Sequence, residues 1–293
     1  MNDLLNDITR AGRFRPTTSY QRFAYVCGAL LIASGLFHGV VFLVDGGPWQ
    51  GPISWRKPIV FGLSFGVTLV TLTWIMTFLR LRKATGWIVL GVFSVASLGE
   101  VFLISMQKWR GVASHFNEET TFDESVFSMM GMLVALVGLM TAFIAIRSFF
   151  PMDAPASLAW AIRTGLVLML ASQAVGVQMI AEGGNTFGAA GALKMPHAFT
   201  LHAVQVLPAL ALALSLSPSS ERRRVEVVAL GAIGYSCLIA STMVQTSDGR
   251  RPLDLGVVAG VLALIGLGLL ATSALIALRG LAARSRPHAR STS

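Results

Sequence analysis

Few side chains in this sequence could bind a metal, move a proton or hold an anion: it has five histidines and 14 acids among 293 residues. Imidazole and carboxylate together suit Zn, Fe, Cu or Mn, and opposed histidines on separate helices suit a haem iron. On that chemistry His38 and His202 read as ligands of haem b or of a divalent or copper ion, with His197 as a third metal ligand. Glu100, His115 and Arg110 read as a catalytic group in which Glu100 is an acid/base, His115 a proton carrier and Arg110 an anchor for negative charge. Arg56 joins the cofactor side as a second anionic anchor. His197 and His202 are five apart, about 140° around a helix, so they form no same-face pair. They could share a ligand only if His197 lies in a pre-helical turn, which Pro196 allows. Taken singly, each histidine reads first as a hydrogen-bonded packing residue. It is their grouping that points to a site.

That grouping depends on the elements that carry the residues. The chain is 54% hydrophobic and 13% charged, with a mean hydropathy of +0.68; soluble domains are usually about a quarter charged. The apolar residues fall into eight blocks, near 23–44, 59–80, 85–106, 124–149, 157–180, 197–216, 225–247 and 254–278, each long enough for a helix to cross ~30 Å of hydrocarbon. The expected fold is an all-α, polytopic integral membrane bundle. A segment 1–22, an eight-helix domain 23–280 and a tail 281–293 make up the chain, and a short amphipathic stretch over 3–11 reads either as a surface helix or as a frayed tail. Continuous rather than alternating apolar character excludes an outer-membrane barrel. Cys27 and Cys237 lie at different depths and read as small packing residues, not as a disulfide. No internal repeat stands out, and the first span reads as retained rather than as a cleaved leader.

Lys and Arg sum to 16 in one set of alternate segments and 7 in the other, so the positive-inside rule places both termini in the cytoplasm. The net charge of +9 is then a topology signal and not the mark of a nucleic-acid partner. In this frame His38 and Glu100 come out about 9 Å below the outer face, and His202 about 8 Å below it, at ~1.5 Å per residue. His115 and His197 fall in or beside outer loops. Ser97, Glu100 and Gln107 line one stripe of the third span. A carboxylate at such depth costs at least ~2.5 kcal/mol unless it is paired, protonated or wetted, and Arg56 and Arg110 are its expected counter-charges. Matched depths make His38 and His202 candidates for one shared cofactor. Methionines near the same level add thioether ligands, or more simply fill gaps between helices.

Three strings carry a resemblance: Ser54-Trp55-Arg56-Lys57-Pro58-Ile59-Val60-Phe61, Gln107-Lys108-Trp109-Arg110-Gly111-Val112-Ala113-Ser114-His115-Phe116-Asn117, and His197-Ala198-Phe199-Thr200-Leu201-His202-Ala203-Val204-Gln205-Val206-Leu207-Pro208. As a set the chain resembles a family of uncharacterised bacterial multi-pass membrane proteins. The resemblance implies a shared fold and a bacterial inner membrane, and no activity.

Three functions fit these residues: a metal- or haem-binding redox protein or enzyme with its site at the outer face; a transporter or channel-like protein whose vestibule the same residues line, working on a small molecule or ion; or an accessory subunit. The partners are the lipid bilayer and an unidentified small molecule or ion, with homo-oligomerisation left open. The topology is directly testable. A cysteine at position 115 is expected to react with an impermeant thiol reagent in spheroplasts, whereas reaction only in inverted vesicles would reverse the orientation.

Overall fold

A computed structural model describes residues 14–284; the stretch 3–11 and His288 lie outside the described residues. Eight helices dominate: α1 Ser19–Asp45, α2 Arg56–Ile75, α3 Lys83–Trp109, α4 Thr121–Ser148, α5 Ala156–Ala181, α6 Lys194–Ser215, α7 Glu221–Ser247 and α8 Val257–Arg284. Between α5 and α6, β1 Thr186–Phe187 pairs antiparallel with β2 Gly191–Ala192. All eight helices are long and apolar enough to span a bilayer. The protein is therefore an all-α, multi-pass membrane bundle, and each span expected from hydropathy corresponds to one helix.

Local chemistry fixes the helix ends. Thr18 and Gln21 form a reciprocal capping box at the start of α1, satisfying backbone donors that no intrahelical partner can reach. Ser220 caps α7 by accepting from the Arg223 amide. Pro58 and Pro196 occupy the first turns of α2 and α6, where a missing N–H costs nothing. One departure from expectation with a local cause is the end of α2, at Ile75 rather than near 80. Phe78 N donates to Ile75 O and Leu79 N to Met76 O, a tightened turn of i→i+3 bonds. Met76, Phe78 and Leu79 are all buried, so the turn keeps the apolar composition of a span and hydropathy passes through it.

The helices divide into two compact units, residues 16–147 and the described chain from Ser148 onward. Within the N-terminal unit α1 packs closely along α2, and α3 packs against both. Gly28 and Gly35 of α1 meet Gly66 and Gly62 of α2, where backbone approaches backbone: a methyl group on Gly62 would sit 2.8 Å from Gly35 N, and one on Gly66 2.8 Å from Gly28 O. In lipid, where burial of apolar surface drives little association, such contact supplies the packing. α4 joins through Val126 and Met130, which pack on Ile104 of α3. In the C-terminal unit α5 packs along α6 and α7 along α8, with α7 also touching α5 and α6. Gly165 lies against the Val204 backbone, and Gly234 against Gly266.

The two units share one plan. Their helices run 27, 20, 27 and 28 residues in the first and 26, 22, 27 and 28 in the second. α3 starts at 83 and α7 at 221, 138 positions apart. The same offset carries Pro58-x-x-Phe61 onto Pro196-x-x-Phe199, Gln107 onto Gln245 and Gly111 onto Gly249. Both glycines have positive φ, 75° and 64°. Behind each, the next amide turns back onto the glutamine carbonyl, Val112 N onto Gln107 O and Arg250 N onto Gln245 O. The repeat that the sequence alone does not reveal is thus visible as a repeated framework of helix lengths, prolines and chain reversals.

The glycine contacts predict an asymmetry. Gly62→Val should cost about 1–3 kcal/mol by overpacking, read as a lower unfolding temperature in detergent. Gly39→Ala should cost far less, because nothing lies within 4 Å of its added methyl.

Candidate functional site

The third helix of the N-terminal unit positions the site. Its stripe of Ser94, Ser97, Glu100 and Gln107 is buried, at 0%, 0%, 1% and 0% exposure. Neither oxygen of Glu100, nor the hydroxyls of Ser97 and, on α1, Tyr25, finds a hydrogen-bond partner among the described residues. One turn inward from Ser97, Ser94 faces the thiol of Cys27. Unsatisfied buried polar atoms are rare in folded proteins and mark strain, chemistry or an absent partner. Here Ser94, Ser97 and Glu100 follow one another along one face of α3, with the carboxyl at its head.

The segment after α3 brings a histidine to that carboxyl. Gly111, with its left-handed backbone, reverses the chain, and Ser114 and Asn117 turn inward, only 2% and 3% exposed. Asn117 braces the loop from within, donating to Ala113 O at 2.9 Å and accepting from Glu119 N at 3.1 Å. His115 Nδ1 meets Ser114 Oγ at 2.9 Å, while Nε2 stands 3.9 Å from Glu100 Oε1. The rings of Phe61, Phe116 and Phe127 surround the imidazole. Burial, with a smaller contribution from the positive charge of Lys57, pushes the His115 pKa down to about 3. The imidazole is therefore neutral at pH 7.

Beside this pair lies a second cluster. Asp123 Oδ1 accepts from Gln107 Nε2 at 2.8 Å and from Arg110 at 2.6 Å, and Arg110 also donates to Gln107 Oε1. Thr120 Oγ1 donates to Asp123 Oδ2 at 2.7 Å and accepts from the Asp123 amide, which makes Thr120 and Asp123 the capping pair of α4. Arg110 also covers the ring of Phe122.

These contacts revise the expected counter-charges of Glu100. Arg110 is bound to Asp123 and Gln107, and Arg56 donates to Gln50 Oε1 at 3.2 Å; the titratable group that approaches Glu100 is His115, at 3.9 Å. The reason is distance along the helix. Ten residues separate Glu100 from Arg110, about 15 Å at 1.5 Å per residue, and Asp123 at the start of α4 lies much closer to the guanidinium. Asp123, Thr120, Tyr25 and Lys57 were not among the expected site residues. The Thr120-x-x-Asp123 capping pattern is the one signal in the sequence that could have drawn attention to Asp123.

The other expected residues are held locally. His38 Nδ1 donates to Ser34 O at 2.8 Å, and its Nε2 accepts from Trp109 Nε1 at 3.2 Å. Both ring nitrogens are engaged, a donor set that does not fit a metal or haem ligand in this arrangement. The imidazole sits beside Trp55 and Trp109, and Lys108 Nζ lies 4.1 Å over the Trp55 ring. In the C-terminal unit His197 Nδ1 donates to Ser172 O at 2.9 Å, and His202 Nδ1 faces Gln205 Oε1 at 3.3 Å. Pro196 places His197 in the first turn of α6 rather than in a loop before it. Among the described residues no three His, Cys, Asp or Glu side chains are grouped so as to hold a metal ion. The chain matches no protein-family model, no curated protein and no solved structure.

The pKa of His115 sets a pH dependence. Its folded value, about 3, lies below the ordinary ~6.5 of the unfolded chain, so the unfolded state binds more protons between these two values. Stability is then full above pH ~6.5 and declines as pH falls from there toward 3. Comparing unfolding temperatures of the wild type and His115→Gln across that window should show the decline partly removed in the variant; parallel curves would contradict it.

Proposed function

We propose that this multi-pass membrane protein is a proton-coupled transporter, with Glu100 as its proton-binding group and His115 as the neighbour through which the carboxyl meets the aqueous phase. The observation that carries the reading is the pair of unpartnered Glu100 oxygens in a buried position. A lone carboxylate there needs a proton or a cation to offset several kcal/mol of desolvation. An intramembrane carboxyl of this kind marks an ion or proton pathway by default. Ser97 and Ser94, one and two turns from it along the same helix face, add buried hydroxyls that are likewise unpartnered among the described residues.

In the proposed step a proton passes from water to a Glu100 oxygen, converting carboxylate to acid, and returns to water when the site opens to the other side. Neutral His115 holds Nε2 beside that oxygen, 3.9 Å away, with Ser114 orienting the ring from Nδ1, so the imidazole stands at the carboxyl without itself taking up the charge. The positive-inside count puts this end of the unit at the outer face, and the resemblance noted above supports a bacterial inner membrane. A metal- or haem-dependent redox reading draws less support, because it relies on His38 nitrogens already committed to Ser34 and Trp109.

A hydrophobic carbodiimide, which attacks protonated carboxyls, tests the step. An adduct on Glu100 is expected by mass spectrometry, with more formed as pH is lowered, and none at position 100 in Glu100→Gln. Failure to modify Glu100 at any pH where the protein stays folded would overturn the proposal.

A further inference from the structure

We infer that Gln107, Arg110 and Asp123 form a latch that holds loop 111–119, and with it His115, closed over Glu100, so that this cluster positions the loop that controls access to the carboxyl. The inference rests on the proposed role of Glu100 for its meaning, but its geometry stands separately.

The repeated framework isolates what is special about this loop. In the C-terminal unit Gln245, the counterpart of Gln107, secures the chain after its helix through backbone partners alone. Its amide donates to the carbonyls of Arg251 and Asp254, and its carbonyl accepts from Gly256 N at 3.1 Å. In the N-terminal unit the same glutamine instead binds two charged side chains, Arg110 at the loop's start and Asp123 at the start of α4. The corresponding segment is thus clamped at its two ends by side chains, while its middle is braced by the internal hydrogen bonds of Asn117 and by ring contacts of His115 and Phe116.

Two further features belong to the loop itself. Phe116 holds a left-handed backbone, φ 55°, as the one non-glycine residue to do so among those described; such a conformation persists only where its surroundings impose it. Its ring lies 5.1 Å from that of Phe127 on α4, so the strained residue is pinned to the same helix that supplies Asp123. Release of Asp123 would therefore loosen both the clamp and the aromatic contact. What the loop covers is a carboxyl with two unpartnered oxygens. Neither Gln107, Arg110 nor Asp123 contacts Glu100 in any hydrogen bond; they act through the loop.

A buried reporter on the loop tests the latch without reference to proton binding. In protein with Cys27 and Cys237 replaced by alanine, Ser114→Cys places a thiol where exposure is 2%, and Ser241→Cys places a control in the C-terminal unit, where exposure is 4%. The charged reagent MTSET is applied to the purified full-length protein in detergent. Position 114 is expected to react slowly in the parent, at least about tenfold faster after Asp123→Asn or Arg110→Ala, the response to ~1.4 kcal/mol lost from loop closure, and slowly again in Arg110→Lys. Position 241 is expected to stay slow throughout. Equal rates at 114 with and without Asp123, fast reaction in the parent, or acceleration at both positions, which would make the cluster a brace for the whole fold, would each overturn the latch. A carbodiimide result against Glu100 would leave these rates unchanged, so the two proposals fail separately.

Discussion

Hydrocarbon offers no water to complete a hydrogen bond, and this single deficit orders the protein. Each helix satisfies its own backbone, so the chemical choices left are at the ends and in the few side chains that are not apolar. Thr18, Ser220 and Thr120 close helix starts. Serine and threonine hydroxyls within the spans turn back onto carbonyls of their own helix, as Thr73 does to Leu69 O and Thr141 to Val137 O. Among the described residues the exceptions are few, and four of the five residues concerned, Glu100, Ser97, Ser94 and Tyr25, lie on α1 and α3 of the N-terminal unit, the fifth being Arg224 through its Nε.

The same deficit explains what the sequence makes legible. Spans are visible because crossing a bilayer demands a fixed length of apolar helix, and the burial of Glu100 follows from the cost of leaving it in lipid. Partners are harder. The contact of His38 with Trp109 links positions 71 apart, and nothing in either local pattern distinguishes an imidazole awaiting a metal from one accepting an indole N–H. The grouping of His115 with Glu100 was legible as chemistry, but its geometry was not: a loop residue in a polar stretch reads as solvent-exposed until Gly111 is known to turn the chain inward. The substitution of Asp123 for Glu100 as the partner of Arg110 depended on how α4 begins, which is a capping question and not one of hydropathy.

The duplicated plan was hidden for a related reason. A lipid-facing position is satisfied by any large apolar side chain, so it carries little pattern, whereas a position that shapes the backbone needs a particular residue type. What survives at the 138-residue offset is therefore a proline in a first turn, a glutamine at a helix end and a glycine that reverses the chain. The chemistry has diverged at the same positions: Ser97 has Tyr235 as its counterpart, whose hydroxyl donates to Phe199 O at 2.7 Å, and Glu100 has Leu238. One unit keeps open polar atoms where the other has closed or removed them.

The nearness of Glu100 and His115 in sequence bears on how the protein is made. Their contact spans 15 positions, and Phe127, the last ring around the imidazole, follows 12 later. α1 and α2 have already left the ribosome when α3 emerges. At ~5–20 residues per second, the rest of the enclosure around the carboxyl is synthesised within about 1–5 s. Biogenesis thus exposes the costliest side chain of the span to lipid for only a short interval. The enclosing parts arrive from the next stretch of nascent chain, without waiting for the second unit to be translated.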